Sequence, residues 1–158
     1  MLTTAHGAQA GTEGLNSQLQ SIPLVEQGVP RDPMFQQVSP AETGVRFQNR
    51  LKTENVRRYL SNGAGVTTGD YDGDGRPDIY LVGQDVPNKL YRQVAPFRFR
   101  DVTDEAGVSG GDAIGAGASF VDIDNDGDLD IYVCNYLTAN QLYVNDGNGT
   151  FSEKAKAF

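Results

Sequence analysis

From residue 63 onward, apolar residues come in runs of at most four, separated by polar residues and by Gly, Asp, Asn and Pro. Runs that short, rich in β-branched and aromatic side chains, predict strands rather than helices. Four pairs of strands are expected: Ala64–Thr68 with Ala116–Val121, Ile79–Val82 with Ile131–Cys134, Lys89–Gln93 with Gln141–Val144, and Phe97–Val102 with Thr150–Lys154. The second pair reads IYLV and IYVC, apolar at successive positions, which is the pattern of a strand buried on both faces. Cys134 is therefore expected in the core. Turn signals divide the strands at Gly83 to Pro87 and in the Asn-Asp-Gly-Asn-Gly run at 145–149, which suits a tight hairpin. RDVTDEAG at 100–107 reads as a strand end and a turn, and Arg92, Arg98 and Arg100 alternate along a strand as its solvated face.

The pairing has a cause in the sequence. Residues 63–106 lie on 115–158 at an offset of 52 without gaps. Gly63, Ala64 and Gly65 fall on Gly115, Ala116 and Gly117; Ile79-Tyr80 falls on Ile131-Tyr132; Asn88 falls on Asn140, and Leu90-Tyr91 on Leu142-Tyr143. A repeat near 50 residues with four short strands is the unit of a radially stacked all-β architecture, in which each sheet is covered by its neighbours. The expected fold is all-β, about two four-stranded β-propeller blades. The expected organisation is a flexible N-terminal tail at 1–33, an outer strand and lead-in at 34–62, one repeat at 63–114 and a second at 115–158. A fainter echo joins FQQVSPAETGV (35–45) to FRDVTDEAGV (99–108). FSEKAKAF (151–158) begins a third copy, so the sequence reads as cut inside a repeat.

Composition narrows the functional classes. The chain has 158 residues, 19 of them Gly, and a formal charge of −8. Nine of its 21 acidic residues lie in two short loops, so the acidity is local, and no nucleic-acid partner is expected of a chain this acidic. One cysteine allows no internal disulfide. No apolar run reaches the roughly 18 residues of a membrane span, and the N-terminus lacks the basic start and apolar stretch of a signal peptide. His6, the only histidine, sits in the expected tail.

The two loops are DYDGDGRPD (70–78) and DIDNDGDLD (122–130). An Asp-x-Asp-x-Asp-Gly-x-x-Asp loop turns its first, third and fifth side chains inward. The glycine permits the bend, the seventh residue adds a carbonyl, and the ninth adds a further carboxylate. The expected ligands are Asp70, Asp72, Asp74, the carbonyl of Arg76 and Asp78, then Asp122, Asp124, Asp126, the carbonyl of Asp128 and Asp130, with the Asp128 side chain facing solvent. Hard oxygen donors select Ca²⁺ ahead of Mg²⁺ or Mn²⁺. Two carboxylates ~5 Å apart repel by roughly 3 kcal/mol at an effective dielectric near 20, so four converging ones call for a cation. A solvated acidic turn is the plainer alternative. An EF-hand would need Glu at the twelfth position and a helix after it, whereas Leu81 and Val133 stand there in strand sequence.

GAGVTTGDYDGDGRPDIYLV and GAGASFVDIDNDGDLDIYVCN…NQLYVNDGNGTF resemble FG-GAP repeats of the VCBS type, the calcium-loop blades of integrin α-chain β-propellers and of many exported bacterial proteins. FQQVSPAETGVRF is similar to the start of the cartilage-acidic-protein-like, ASPIC/UnbV-associated group. The resemblance spans about residues 34–158 and implies a seven-bladed propeller with Ca²⁺ between the first and second strands of each blade. It also implies an extracellular, cell-surface or periplasmic location and a role in adhesion or ligand binding. About two blades cannot close a ring, so further blades, or self-association through open faces, are the expected partners, with an extracellular protein or glycan as ligand. No catalytic constellation stands out: there is no Ser/His or Cys/His pair in a plausible setting and no phosphate loop. Asp101, Asp104 and Glu105, which lie outside the Asp loops, carry nothing that marks them as a catalytic carboxylate pair. The expectation is a non-enzymatic module; the alternative is the propeller portion of a larger exported enzyme, for example a polysaccharide-active one.

Overall fold

The computed structural model describes residues 35–55 and 63–156. The chain divides into two compact units, Met1–Gln37 and Val38–Phe158. The tail expected at 1–33, with His6, lies outside the described residues.

All eight expected strands form, and all lie in the second unit: β1 (Val66–Gly69), β2 (Asp78–Leu81), β3 (Lys89–Ala95), β4 (Arg98–Asp101), β5 (Ile114–Val121), β6 (Asp130–Tyr136), β7 (Gln141–Asn145) and β8 (Phe151–Glu153). They make two antiparallel sheets, each in simple chain order, β1-β2-β3-β4 and β5-β6-β7-β8. The register repeats with the sequence. Gly69 pairs with Asp78 and Val121 with Asp130. Ile79 pairs with Tyr91 and Ile131 with Tyr143. These are two open β-propeller-type blades, not a closed ring.

The sheets meet along their first strands, and glycine makes the approach feasible. A Cβ on Gly65 would stand 2.5 Å from Gly117 Cα, and one on Gly115 would stand 2.0 Å from Val82 Cγ1. The Gly115 N–H donates to the Gly83 carbonyl at 2.9 Å across this seam. Tyr80 and Val82 of the first sheet and Ile131 and Val133 of the second are fully buried in one core.

The apolar runs IYLV and IYVC are explained by two neighbours, of which each sheet here has one. Ile79 and Leu81 on the far side of the first sheet are half-buried. Tyr132 on the far side of the second is exposed. Cys134 is exposed too, which corrects its expected place in the core. Its counterpart Val82 is covered by the second sheet, and no described element covers Cys134 in the same way.

Two one-turn helices carry the fainter sequence echo. α1 (Pro40–Thr43) opens with a capping box between Ser39 and Glu42, and the turn predicted in RDVTDEAG is wound into α2 (Thr103–Ala106). Each ends on a left-handed glycine, Gly44 or Gly107, so the echo between FQQVSPAETGV and FRDVTDEAGV is a shared turn–helix–Gly device. Residues 35–38, expected as an outer strand donated to another blade, are irregular and have no ladder partner among the described residues.

Candidate metal centre

Each Asp loop connects the first and second strands of its blade, and the two are built alike down to single hydrogen bonds. The first aspartate accepts from the backbone N–H groups four and five residues on. Asp70 takes those of Asp74 (3.0 Å) and Gly75 (2.8 Å), and Asp122 those of Asp126 and Gly127 (3.1 Å each). The fifth accepts from the seventh: Asp74 from Arg76 at 3.0 Å, Asp126 from Asp128 at 2.9 Å. The bend needs positive φ at the sixth position, +84° at Gly75 and +99° at Gly127, with open space around both. Conformation, not crowding, therefore fixes glycine there.

The ninth aspartate is the latch. Asp78 is fully buried and accepts from Tyr71 N–H at 3.2 Å and from Gln93 N–H, on β3, at 2.7 Å. Asp130 repeats this with Ile123 N–H and Asn145 N–H, both at 2.8 Å. One carboxylate thus ties its loop to the blade's third strand. Burial pushes the Asp78 carboxyl up to about 6, against the lowering effect of those two N–H bonds and with the help of the Asp72 and Asp74 charges.

Two carboxylate clusters result among the described residues. Asp70, Asp72 and Asp78 form one, Asp122, Asp124 and Asp130 the other; within each, one oxygen per residue lies within 4.8 Å of the others. The structure brings together the first, third and ninth positions of the expected ligand set and leaves the fifth, Asp74 and Asp126, outside. Asp128, expected to face solvent, is half-buried with its carboxylate beside the Gly147 turn. The clusters could each hold a metal ion. The donors are all oxygen, and Asp72 Oδ1 is buried without a hydrogen-bond partner, so an acceptor stands ready for a cation. Burial raises the Asp72 and Asp124 carboxyls, and neighbouring carboxylates add to the rise.

Arg92, Asn145 and the side-chain role of Arg76 were missed from sequence. Arg92, expected as a solvated face, has Nε 2.5 Å from Asp72 Oδ2 and a terminal nitrogen 3.1 Å from Asp74 Oδ2. Arg76 also pairs with Asp74, and its Nε donates to the Gln93 carbonyl at 2.9 Å. Against the burial that would raise it, hydrogen bonds from Arg92 and the Arg76 N–H, with both arginine charges, hold the Asp74 carboxyl below its ordinary range. Asn145 links the loops: its side-chain amide donates to the Tyr71 carbonyl in the first loop at 2.9 Å, and its backbone N–H donates to Asp130 in the second. Arg98 and Arg100 keep the expected exposed positions.

Fold and loops together define a tandem-blade protein that carries the same carboxylate corner in each blade. The FG-GAP-like repeat family model matches residues 70–133 and 122–157, more than half of the chain, and the chain belongs to that family. None of the curated proteins compared with the chain matches it. No helix among the described residues is long and apolar enough to cross a membrane.

Proposed function

We propose that each loop binds one Ca²⁺, and that the chain is a calcium-braced stretch of an extracellular β-propeller serving adhesion or ligand binding without catalysis. The observation that carries this is the duplicated cluster itself: the same three carboxylates in both loops, on the same backbone scaffold, with an orphaned oxygen in the first. Asp70, Asp72 and Asp78 would hold one ion, and Asp122, Asp124 and Asp130 the other. The ion supplies charge neutralisation that the buried ninth aspartate otherwise lacks. Loops of this chemistry in extracellular modules bind at ~10⁻⁴–10⁻³ M, so they would fill outside the cell.

Further blades are the partners this reading requires. In the first blade the Tyr80 hydroxyl donates to the Val108 carbonyl at 2.7 Å and accepts from Asn88 at 2.9 Å. In the second, Asn140 and Tyr132 form the same pair at 2.7 Å, beside a cavity of about 330 Å³ lined by Leu142 and Ala155. By the repeat, that cavity is the seat of a Val-Ser-Gly segment like 108–110, leading into a further blade. An extracellular protein or glycan would then bind a face shared by several blades.

Thermal melts in chelator and in millimolar calcium test the metal. Calcium should raise Tm, by the equivalent of about 0.4–1.4 kcal/mol per site at one to ten times Kd. Identical melts would refute it. Calcium-dependent capture on immobilised glycans or matrix protein, without cleavage products, is expected of the module; turnover would count against it.

A further inference from the structure

The two loops share one backbone scaffold, so any difference in what they bind comes from the side chains around them. At the offset of 52, Val144 stands where Arg92 stands and Asp128 where Arg76 stands. The first loop therefore has four aspartates answered by two arginines, a formal balance of −2. The second has five aspartates, and among the described residues no Lys or Arg pairs with any of them. Arg92 grips Asp72 and Asp74 by their Oδ2 atoms and leaves Asp72 Oδ1 unpartnered.

We infer that Arg92 is a built-in counterion that makes the two metal sites unequal: the second loop binds a divalent cation first and more tightly, and the first holds its shape without one. The inference rests on the calcium reading proposed for both loops. A guanidinium fixed beside two of the loop's carboxylates does part of a cation's work, and a divalent ion entering that loop binds against its charge. One such charge weakens divalent binding by roughly tenfold even in a water-like dielectric. The second loop has only mutual repulsion to lose. The blades would accordingly differ in what calcium does for them. The 63–114 repeat stands on its arginines, and the 115–158 repeat depends on the ion.

Calorimetric calcium titration of the metal-stripped full chain tests this, with Asp72→Asn, Asp124→Asn and Arg92→Met beside the native protein. Two ions are expected, with dissociation constants roughly tenfold or more apart. Asp124→Asn should abolish the tighter event and Asp72→Asn the weaker. Arg92→Met, which keeps the stem and removes the charge, should tighten the weaker site toward the stronger. Equal sites, loss of the weaker event in Asp124→Asn, or an unchanged first loop in Arg92→Met would overturn the inference and leave the calcium reading intact. Absence of binding at both loops would overturn the two together. Should Arg92→Met fail to fold, the native and Asp124→Asn titrations still decide the order of filling.

Discussion

Replacing Asp130 with Asn separates two roles that the ninth position combines. Asp130 is 1% exposed, and each of its oxygens accepts a backbone N–H at 2.8 Å, from Ile123 and from Asn145. An amide keeps one acceptor and turns an NH₂ group toward the other N–H. One charge-assisted hydrogen bond is lost, about 1.5–3 kcal/mol, and a buried N–H loses its partner, about 1–3 kcal/mol more. Against this, the substitution removes a charge that repels Asp122 and Asp124, a gain of roughly 1–3 kcal/mol for a cluster open to water on one side. The balance is a loss of about 2 kcal/mol in the absence of metal, a fall in Tm of roughly 5–10 °C for a folded unit of this size. Melts of Asp130→Asn and native protein in EGTA, followed by circular dichroism, measure it. In calcium the gap should widen, because a ligand is lost as well. If Asp130→Asn in EGTA equals or exceeds the native protein in stability, the latch argument is wrong and the residue is a metal ligand only.

Other consequences are as direct. Asp78 titrates near 6 in the folded protein, above its unfolded value, so the fold holds that proton more tightly than the unfolded chain does. Stability in EGTA should therefore fall as pH rises from about 4 to 6, by at most about 3 kcal/mol from this group. Calcium, which needs the ionised carboxylates, should add stability increasingly over the same window, so melts with and without calcium should diverge as pH rises; parallel curves would contradict this. Asn145→Ala removes the amide bridge to the Tyr71 and Leu129 carbonyls and should cost about 2 kcal/mol by urea denaturation, whereas a cost under about 0.5 kcal/mol would show the bridge idle. Gly115→Ala drives a methyl into Val82 at the seam between the sheets and should destabilise by about 1–3 kcal/mol, while Gly117→Ala, with open space around it, should be near neutral. Equal effects at the two glycines would argue against so close an approach of the sheets.

The strands were legible because the repeat supplied each one twice: an ambiguous run such as Thr150–Lys154 is read with the help of Phe97–Val102. The Asp loops were legible because their spacing is local. The features that escaped depend on residues distant in sequence. Cys134 and Tyr132 look like core residues, and whether they are buried depends on a neighbouring sheet rather than on their own strand. Arg92 alternates like any solvated residue. Only the pairing of Ile79 with Tyr91 in the β2–β3 hairpin carries it over the loop, where Asp72 and Asp74 wait. Asp74, outside the cluster, is the carboxylate that Arg92 and Arg76 hold. In the second loop, Asp126 lies outside the cluster without an arginine, and the structure gives no account of that. α2 has a single turn, too short for any periodicity to announce it.

A crystal structure of the chain grown in millimolar calcium tests the central claim most directly. One ion in each loop is expected, with oxygens of Asp70, Asp72 and Asp78 and of Asp122, Asp124 and Asp130 at about 2.3–2.6 Å. Those carboxylates turned to water, with no ion between them at that concentration, would contradict it.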